Sequence, residues 1–151
     1  MTEIQPDKCG IIIVDHGSRR AESNEMLLEV VKLYRQQSSY TIIEPAHMEL
    51  AEPSIQTAMD RCAEQGAELV IVHPYFLLPG RHWSIDIPRL SAAAAEKHAN
   101  LKHLVTAPLG IHPKMCEIIN DRIQTCLAQC TEDAMPCELC DGDEANRCRL
   151  R

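Results

Sequence analysis

Aromatic side chains are scarce in this sequence: one Trp, three Tyr and one Phe among 151 residues. They are also unevenly spent, because Tyr75, Phe76 and Trp83 fall within nine residues of one another. Long apolar runs are missing. None approaches the roughly 18 to 20 residues that span a bilayer, and residues 1–10 lack the charged and apolar regions of a signal peptide. The chain as given is therefore expected to be soluble and unexported, with no membrane partner. Positive charge is in the minority, 15 Lys plus Arg against 22 Asp plus Glu for a net charge of −7. The molecule as a whole does not attract nucleic acid, and a polyanionic ligand needs a local basic patch. Internal repeats and long flexible linkers are absent too. An apolar share of 45% with 25% charged residues bounds the chain to one globular domain with a sizeable core.

Cysteine is what the chain has in excess, eight in all. Cys9, Cys62 and Cys116 are scattered, whereas Cys126, Cys130, Cys137, Cys140 and Cys148 crowd the end. With no secretory signal and an adequate core, metal or iron–sulfur ligation is the better use of that cluster than a disulfide framework.

Short β-branched runs alternate with stretches of helical spacing, the pattern of a parallel α/β sheet. Residues 10–15 are almost wholly apolar, as a strand covered on both faces should be, and stop at His16-Gly17-Ser18. Over 22–37, Met26, Leu27, Val30, Val31 and Tyr34 recur at intervals of three and four and predict one helical stripe. Residues 41–43 read as a second strand, and the prolines of 44–53 make that stretch a loop. Ser54 is the expected N-cap of a helix ending before Gly66, followed by a strand over 69–72. Residues 74–88 form an unusual apolar loop. Pro88 suits the first turn of a helix continuing to 99. A strand at 104–105 and a helix opening near Pro113 complete the domain, which runs over 1–130. Residues 131–151 hold six acidic and three basic side chains and no apolar period, so they form a tail and not an independent domain.

Three special segments, 15–20, 44–53 and 74–88, each follow a strand and precede a helix. In an open α/β sheet such segments gather at the carboxyl edge, where ligands bind. His16 leaves the first strand beside a glycine that permits a tight turn. His82 lies in a loop that spends large apolar residues and cations where a connector would be small and polar. Glu52 suits the N-terminus of the following helix. Glu49 has no such plain role, and His47 competes with it, since residues two apart on an extended segment point the same way. Two imidazoles and a carboxylate suit Fe²⁺, Co²⁺ or Zn²⁺. His73, His98, His103 and His112 read as helix-end or surface residues.

Four motifs carry a resemblance over nearly the whole chain: Val14-Asp-His-Gly-Ser-Arg19 with Ser23-Asn24, Ala46-His-Met-Glu-Leu-Ala-Glu-Pro-Ser54, Pro79-Gly-Arg-His-Trp-Ser-Ile-Asp-Ile-Pro88 and Ala107-Pro-Leu-Gly110. Together they resemble the small, single-domain class II tetrapyrrole chelatases. The resemblance implies half of a two-domain chelatase architecture, a four-stranded parallel sheet flanked by helices, assembled as a homodimer with active sites near the interface. It also implies insertion of Fe²⁺ into sirohydrochlorin to give sirohaem, with cobalt insertion toward cobalamin or a non-catalytic metal or tetrapyrrole carrier as the alternatives, and no nucleotide cofactor. Carried over residue by residue, His16 and His82 hold the metal and Glu49 is the catalytic glutamate that moves pyrrole protons. A flat macrocycle rimmed by carboxylates fits Tyr75, Phe76, Leu77, Leu78 and Trp83 against its face and Arg19, Arg20, Arg81 and Arg89 at its rim.

Cys137-Glu-Leu-Cys140, bracketed by Cys126 and Cys148, offers four thiolates, enough for tetrahedral zinc or an iron–sulfur cluster. The plant members of the family resemble the chain here as well, implying a [2Fe–2S] cluster on Cys126, Cys137, Cys140 and Cys148 with Cys130 as the extra thiol. The expected compartment is the cytoplasm for the chain as given, or the plastid stroma for a mature plant or algal chain.

Overall fold

A computed structural model describes residues 5–130. The iron–sulfur candidates Cys137, Cys140 and Cys148 lie outside the described residues. The chain divides at Gly110 and Ile111 into two compact units.

The first unit holds a four-stranded parallel sheet in the order β2-β1-β3-β4. Its strands are β1 (Cys9–Asp15), β2 (Ile42–His47), β3 (Leu69–Pro74) and β4 (Lys102–Val105). The helices between them are α1 (Ala21–Gln37), α2 (Ile55–Glu64) and α3 (Ile87–Ala95). β1 is central, and its alternating side chains feed two cores. Ile12 and Val14 join Val70, Val72, Met59 and Ile87 on the α2 and α3 side. Cys9, Ile11 and Ile13 join Ile43, Leu27 and Val31 under α1. Each such aliphatic side chain taken fully from water contributes roughly 1.5–3 kcal/mol, so β1 is the most strongly anchored strand.

The expected stripe of α1 is narrower than its periodicity: only Leu27 and Val31 are buried, while Met26 is 67% exposed. The strand expected at 41–43 runs on to His47 through Pro45. Pro45 is tolerated there because β2 is the sheet edge, and a residue with no N–H costs a ladder bond only where a second neighbour would accept it. Ser54 caps α2 as anticipated, its hydroxyl accepting the Thr57 N–H at 3.2 Å. The expected loop at His82 is a π-helical turn, His82–Asp86, in which the Ile87 N–H reaches back to the His82 carbonyl. Pro88 then follows inside one continuous helix, having no N–H to offer the turn before it. α3 stops at Ala95, short of 99. Its end tightens into i→i+3 bonds from Lys97 and His98, and the His98 ring is drawn to Asp60 at 2.7 Å.

The second unit is described by its helix α4 (Pro113–Gln129), which opens on an N-cap from His112 Nδ1 to the Lys114 N–H. None of its residues is buried, and Ile118, Ile119, Ile123 and Leu127 form an exposed apolar stripe. Among the described residues no helix is long and apolar enough to cross a membrane.

Candidate active site at the carboxyl edge of the sheet

In the order β2-β1-β3-β4 the chain first steps from β1 outward to β2 and then returns across β1 to β3. The crevice between β1 and β3 is thus the topological switch point, where ligands of open α/β sheets bind. His16 leaves the end of β1, and Tyr75-Phe76 leave the end of β3. The Tyr75 N–H donates to the Val14 carbonyl at 2.7 Å, which continues the ladder to the brink of the site.

The turn carrying His16 is tied at each step. Gly17 has φ +81°, a conformation that disfavours a side chain, and a Cβ there would run into the Glu49 carbonyl. The Ser18 N–H donates to Asn24 Oδ1 at 2.9 Å while Asn24 Nδ2 donates to the Ser18 carbonyl at 2.8 Å. That reciprocal pair explains why Asn24 follows the His-Gly-Ser-Arg run.

Two imidazoles meet in the crevice. The His16 ring lies on Phe76 with centroids 4.2 Å apart and planes 26° apart, and stands edge-on to His82 at 4.9 Å. Phe76 is buried, so it gives His16 a fixed floor. His82 Nδ1 lies 2.9 Å from Asp86 Oδ2, one turn onward. A carboxylate accepts, so Nδ1 donates; in the neutral ring Nε2 then keeps its lone pair, the tautomer a metal-binding histidine needs. Among the described residues the ring nitrogens of His16 have no hydrogen-bond partner.

A cavity of about 350 Å³ opens on this pair. Its walls are His16, Tyr75, Phe76, Leu77, Leu78, Gly80, His82 and Trp83. The wall is chiefly apolar. Leu77 and Leu78 are 61% and 72% exposed, apolar surface a monomeric loop would not ordinarily leave in water. Trp83 packs on the core edge and donates its indole N–H to the Thr106 carbonyl at 2.9 Å, which sets its angle.

Glu49 is not a wall of this cavity. It is joined to the site through the backbone, its N–H donating to the His16 carbonyl at 3.1 Å, and its side chain is exposed. Among the described residues no three His, Cys, Asp or Glu side chains gather into a ready-made metal site. Arg81 sits between the wall residues Gly80 and His82, whereas Arg19, Arg20 and Arg89 are not walls. All four are exposed, and none has an ion-pair partner among the described residues. His47, the competitor of Glu49, is 1% exposed, is bonded to Asp15 and is not a wall of the cavity. Glu52 accepts from the Ser54 N–H and the Thr57 hydroxyl, both at 2.8 Å, as its place before α2 suggests. Cys126 is half-buried, and the Cys130 thiol points back to the Cys126 carbonyl at 3.4 Å. His73 is not a surface residue but half-buried on β3, its Nδ1 2.7 Å from Thr106 Oγ1, with burial pushing its pKa down.

Asp86 was not among the residues singled out from sequence, although its spacing of four from His82 is the available signal on a helical turn. Gly80 was not singled out as a wall either.

A parallel half-sheet with paired imidazoles at its switch point defines a chelatase-type half-domain of the class II kind. Residues 10–126 match the family model described as CbiX, and the chain belongs to the CbiX family. It is 54% identical over 144 residues to a protein of Arabidopsis thaliana named sirohydrochlorin ferrochelatase, chloroplastic, covering 95% of this chain and 63% of that one. This chain thus spans less than two thirds of the length of that relative. It is 32% identical to a sirohydrochlorin cobaltochelatase of Methanothermobacter thermautotrophicus, over 82% of this chain and 96% of that one. Among solved structures, a putative cobalamin biosynthesis CbiX protein from Marinobacter aquaeolei superposes with a TM-score of 0.68 at 31% identity, over 79% of this chain and 97% of the other. SirB from Bacillus subtilis with Fe³⁺ gives 0.73 at 27% identity, over 78% of this chain and 46% of the other.

Proposed function

We propose that this chain inserts Fe²⁺ into sirohydrochlorin to give sirohaem, a metal chelatase of the lyase class. The observation that carries the reading is the convergence of His16 and His82, 4.9 Å apart, on an apolar cavity. The 54% identity to a protein named ferrochelatase favours iron over cobalt. In the reaction the metal passes from imidazole nitrogens to the ring nitrogens of the macrocycle, and two pyrrole N–H protons leave. His16 and His82 hold the incoming Fe²⁺, and Glu49 accepts or relays the protons. Tyr75, Phe76, Leu77 and Trp83 meet the face of the macrocycle. Arg19, Arg20, Arg81 and Arg89, cations with no ion-pair partner among the described residues, meet its carboxylates.

A cleft of about 350 Å³ takes part of such a disc, and a homodimer supplies further surface. The exposed apolar side chains Ile118, Ile119, Ile123 and Leu127 of α4 support that assembly. Cys126, Cys137, Cys140 and Cys148 hold a [2Fe–2S] cluster in this reading, which treats residues 1–130 as the chelatase domain and 131–151 as its tail. The working compartment is the plastid stroma, in line with the name of the Arabidopsis relative.

The second reading, a cobaltochelatase, is favoured by the Methanothermobacter thermautotrophicus relative at 32% identity. An anaerobic assay of sirohydrochlorin with Fe²⁺ and with Co²⁺, followed optically, tests both. Repeated turnover faster with Fe²⁺ is expected. Faster turnover with Co²⁺ replaces the reading with the second one, and a single stoichiometric transfer turns the chain into a carrier.

A further inference from the structure

Behind the His16 turn lies a polar pair that forms no wall of the cavity. His47 and Asp15 stand in register at the ends of β2 and β1. His47 is 1% exposed, and its Nδ1 lies 2.6 Å from Asp15 Oδ1. The same carboxylate oxygen accepts the Gly17 N–H at 2.9 Å. One oxygen of Asp15 therefore fixes the residue after His16, while His47 fixes that oxygen.

The ladder between the two strands also runs past their ends. The Met48 N–H donates to the Asp15 carbonyl at 2.9 Å and the Glu49 N–H to the His16 carbonyl at 3.1 Å. His47 is held in turn through its own N–H, which donates to the Pro53 carbonyl at 2.7 Å. An imidazole buried at a sheet edge costs free energy unless its polar atoms are bonded, and an aliphatic side chain would fill the space without that cost. Packing alone does not account for a histidine here. What the pair does is join two segments, one bearing His16 and one bearing Glu49.

We propose that Asp15 and His47 are positioning residues, a clamp that keeps the metal-holding imidazole of His16 and the carboxylate-bearing Glu49 segment at one fixed separation. The inference rests on the chelatase reading for its purpose, not for its geometry. Metal delivery and proton removal act on the same few atoms of the macrocycle, and a misplacement of about 1 Å in such an arrangement costs about 100-fold in rate.

Three variants test the clamp. His47→Leu fills the buried volume without a nitrogen, and His47→Asn offers an amide N–H near the place of Nδ1. The first readout needs no substrate: the imidazole proton resonances of His16, assigned by their loss in His16→Ala, carry a ring-current shift from Phe76. That shift is expected to vanish in His47→Leu and persist in His47→Asn. The second is Fe²⁺ insertion into sirohydrochlorin. His47→Leu is expected to lower kcat by about 100-fold, as a misplacement of about 1 Å does, with KM for sirohydrochlorin unchanged and His47→Asn restoring most of the rate. A folded His47→Leu with wild-type shift and kcat overturns the clamp, and so do equal losses in the Leu and Asn variants. Should His47→Leu not fold, Asp15→Ala removes the shared oxygen from a position 24% exposed and is read the same way. If the unaltered protein metallates nothing, the chelatase reading fails, while the His16 resonances still decide the clamp.

Discussion

The imidazole of His82 stands edge-on to that of His16, ring centroids 4.9 Å apart and planes at 87°. One ring comes from the turn after β1 and the other from the π-helical turn that leads into α3. Neither is needed by the core, since both are exposed. His16→Ala and His82→Ala should each reduce Fe²⁺ insertion by more than about 100-fold, at least the loss seen when an outer partner of a metal ligand is removed. Far-ultraviolet circular dichroism should not change. Full activity in either variant refutes its role as a metal holder.

Asp86 orients His82 through the 2.9 Å bond to Nδ1. Replacing it with alanine frees the imidazole to rotate and to exchange tautomers. Asp86→Ala should cost roughly 10- to 100-fold in metal affinity or activity. Isothermal titration with Co²⁺ reads the affinity directly, and an unchanged value removes Asp86 from the site.

Gly17 couples the two segments sterically, because a Cβ at φ +81° would meet the Glu49 carbonyl. Gly17→Ala must therefore push the Glu49 strand extension away from β1 or change the turn. A forced left-handed residue costs about 1–3 kcal/mol, and the displaced loop should lower kcat by about 100-fold. The melting temperature and kcat should fall together. A variant with lower stability but normal kcat would show that the turn tolerates the shift.

The sheet was legible because its strands carry short apolar runs, at 10–15, 41–43, 69–72 and 104–105, and because Ser54 and Pro113 mark helix starts. The extension of β2 through Pro45 was not, since edge position is a property of strand order and not of local sequence. The π-helical turn at His82 was hidden for a related reason: proline and glycine nearby read as loop signals, while the i→i+5 bond from Ile87 leaves no compositional mark. His16 stood out where the first apolar run ends and His82 in its apolar, cationic loop, and the fold brings their rings together. The burial of His47 against Asp15 depends on a cross-strand register that one sequence does not display.

Purified protein should be brown, with visible thiolate-to-iron absorption, if the four tail-associated cysteines hold a [2Fe–2S] cluster. Changing Cys137 and Cys140 to Ser should bleach it, because two ligands are lost at once. Chelatase activity should survive, since His16, Glu49 and His82 are drawn from the other compact unit. A colourless anaerobic preparation holding zinc would defeat the cluster assignment.

Glu52 gives the fold a pH dependence of known sign. The Ser54 N–H, and after it the Thr57 hydroxyl, hold its carboxyl below the usual carboxylate range, against a slight opposing effect of burial. In the unfolded chain that carboxyl takes up a proton at a higher pH than in the folded one. The stabilisation is therefore complete above the unfolded value and is lost as pH falls through the folded value. Glu52→Gln leaves an amide oxygen to accept the same bonds without the charge, so the titration disappears. Thermal melts of both proteins between neutrality and about pH 3 should show the unaltered protein ahead by no more than about 3 °C at neutral pH, since Glu52 is solvent-exposed. The gap should close toward acid. A gap that stays constant across the range would mean that the loss comes from geometry and not from the charge of Glu52.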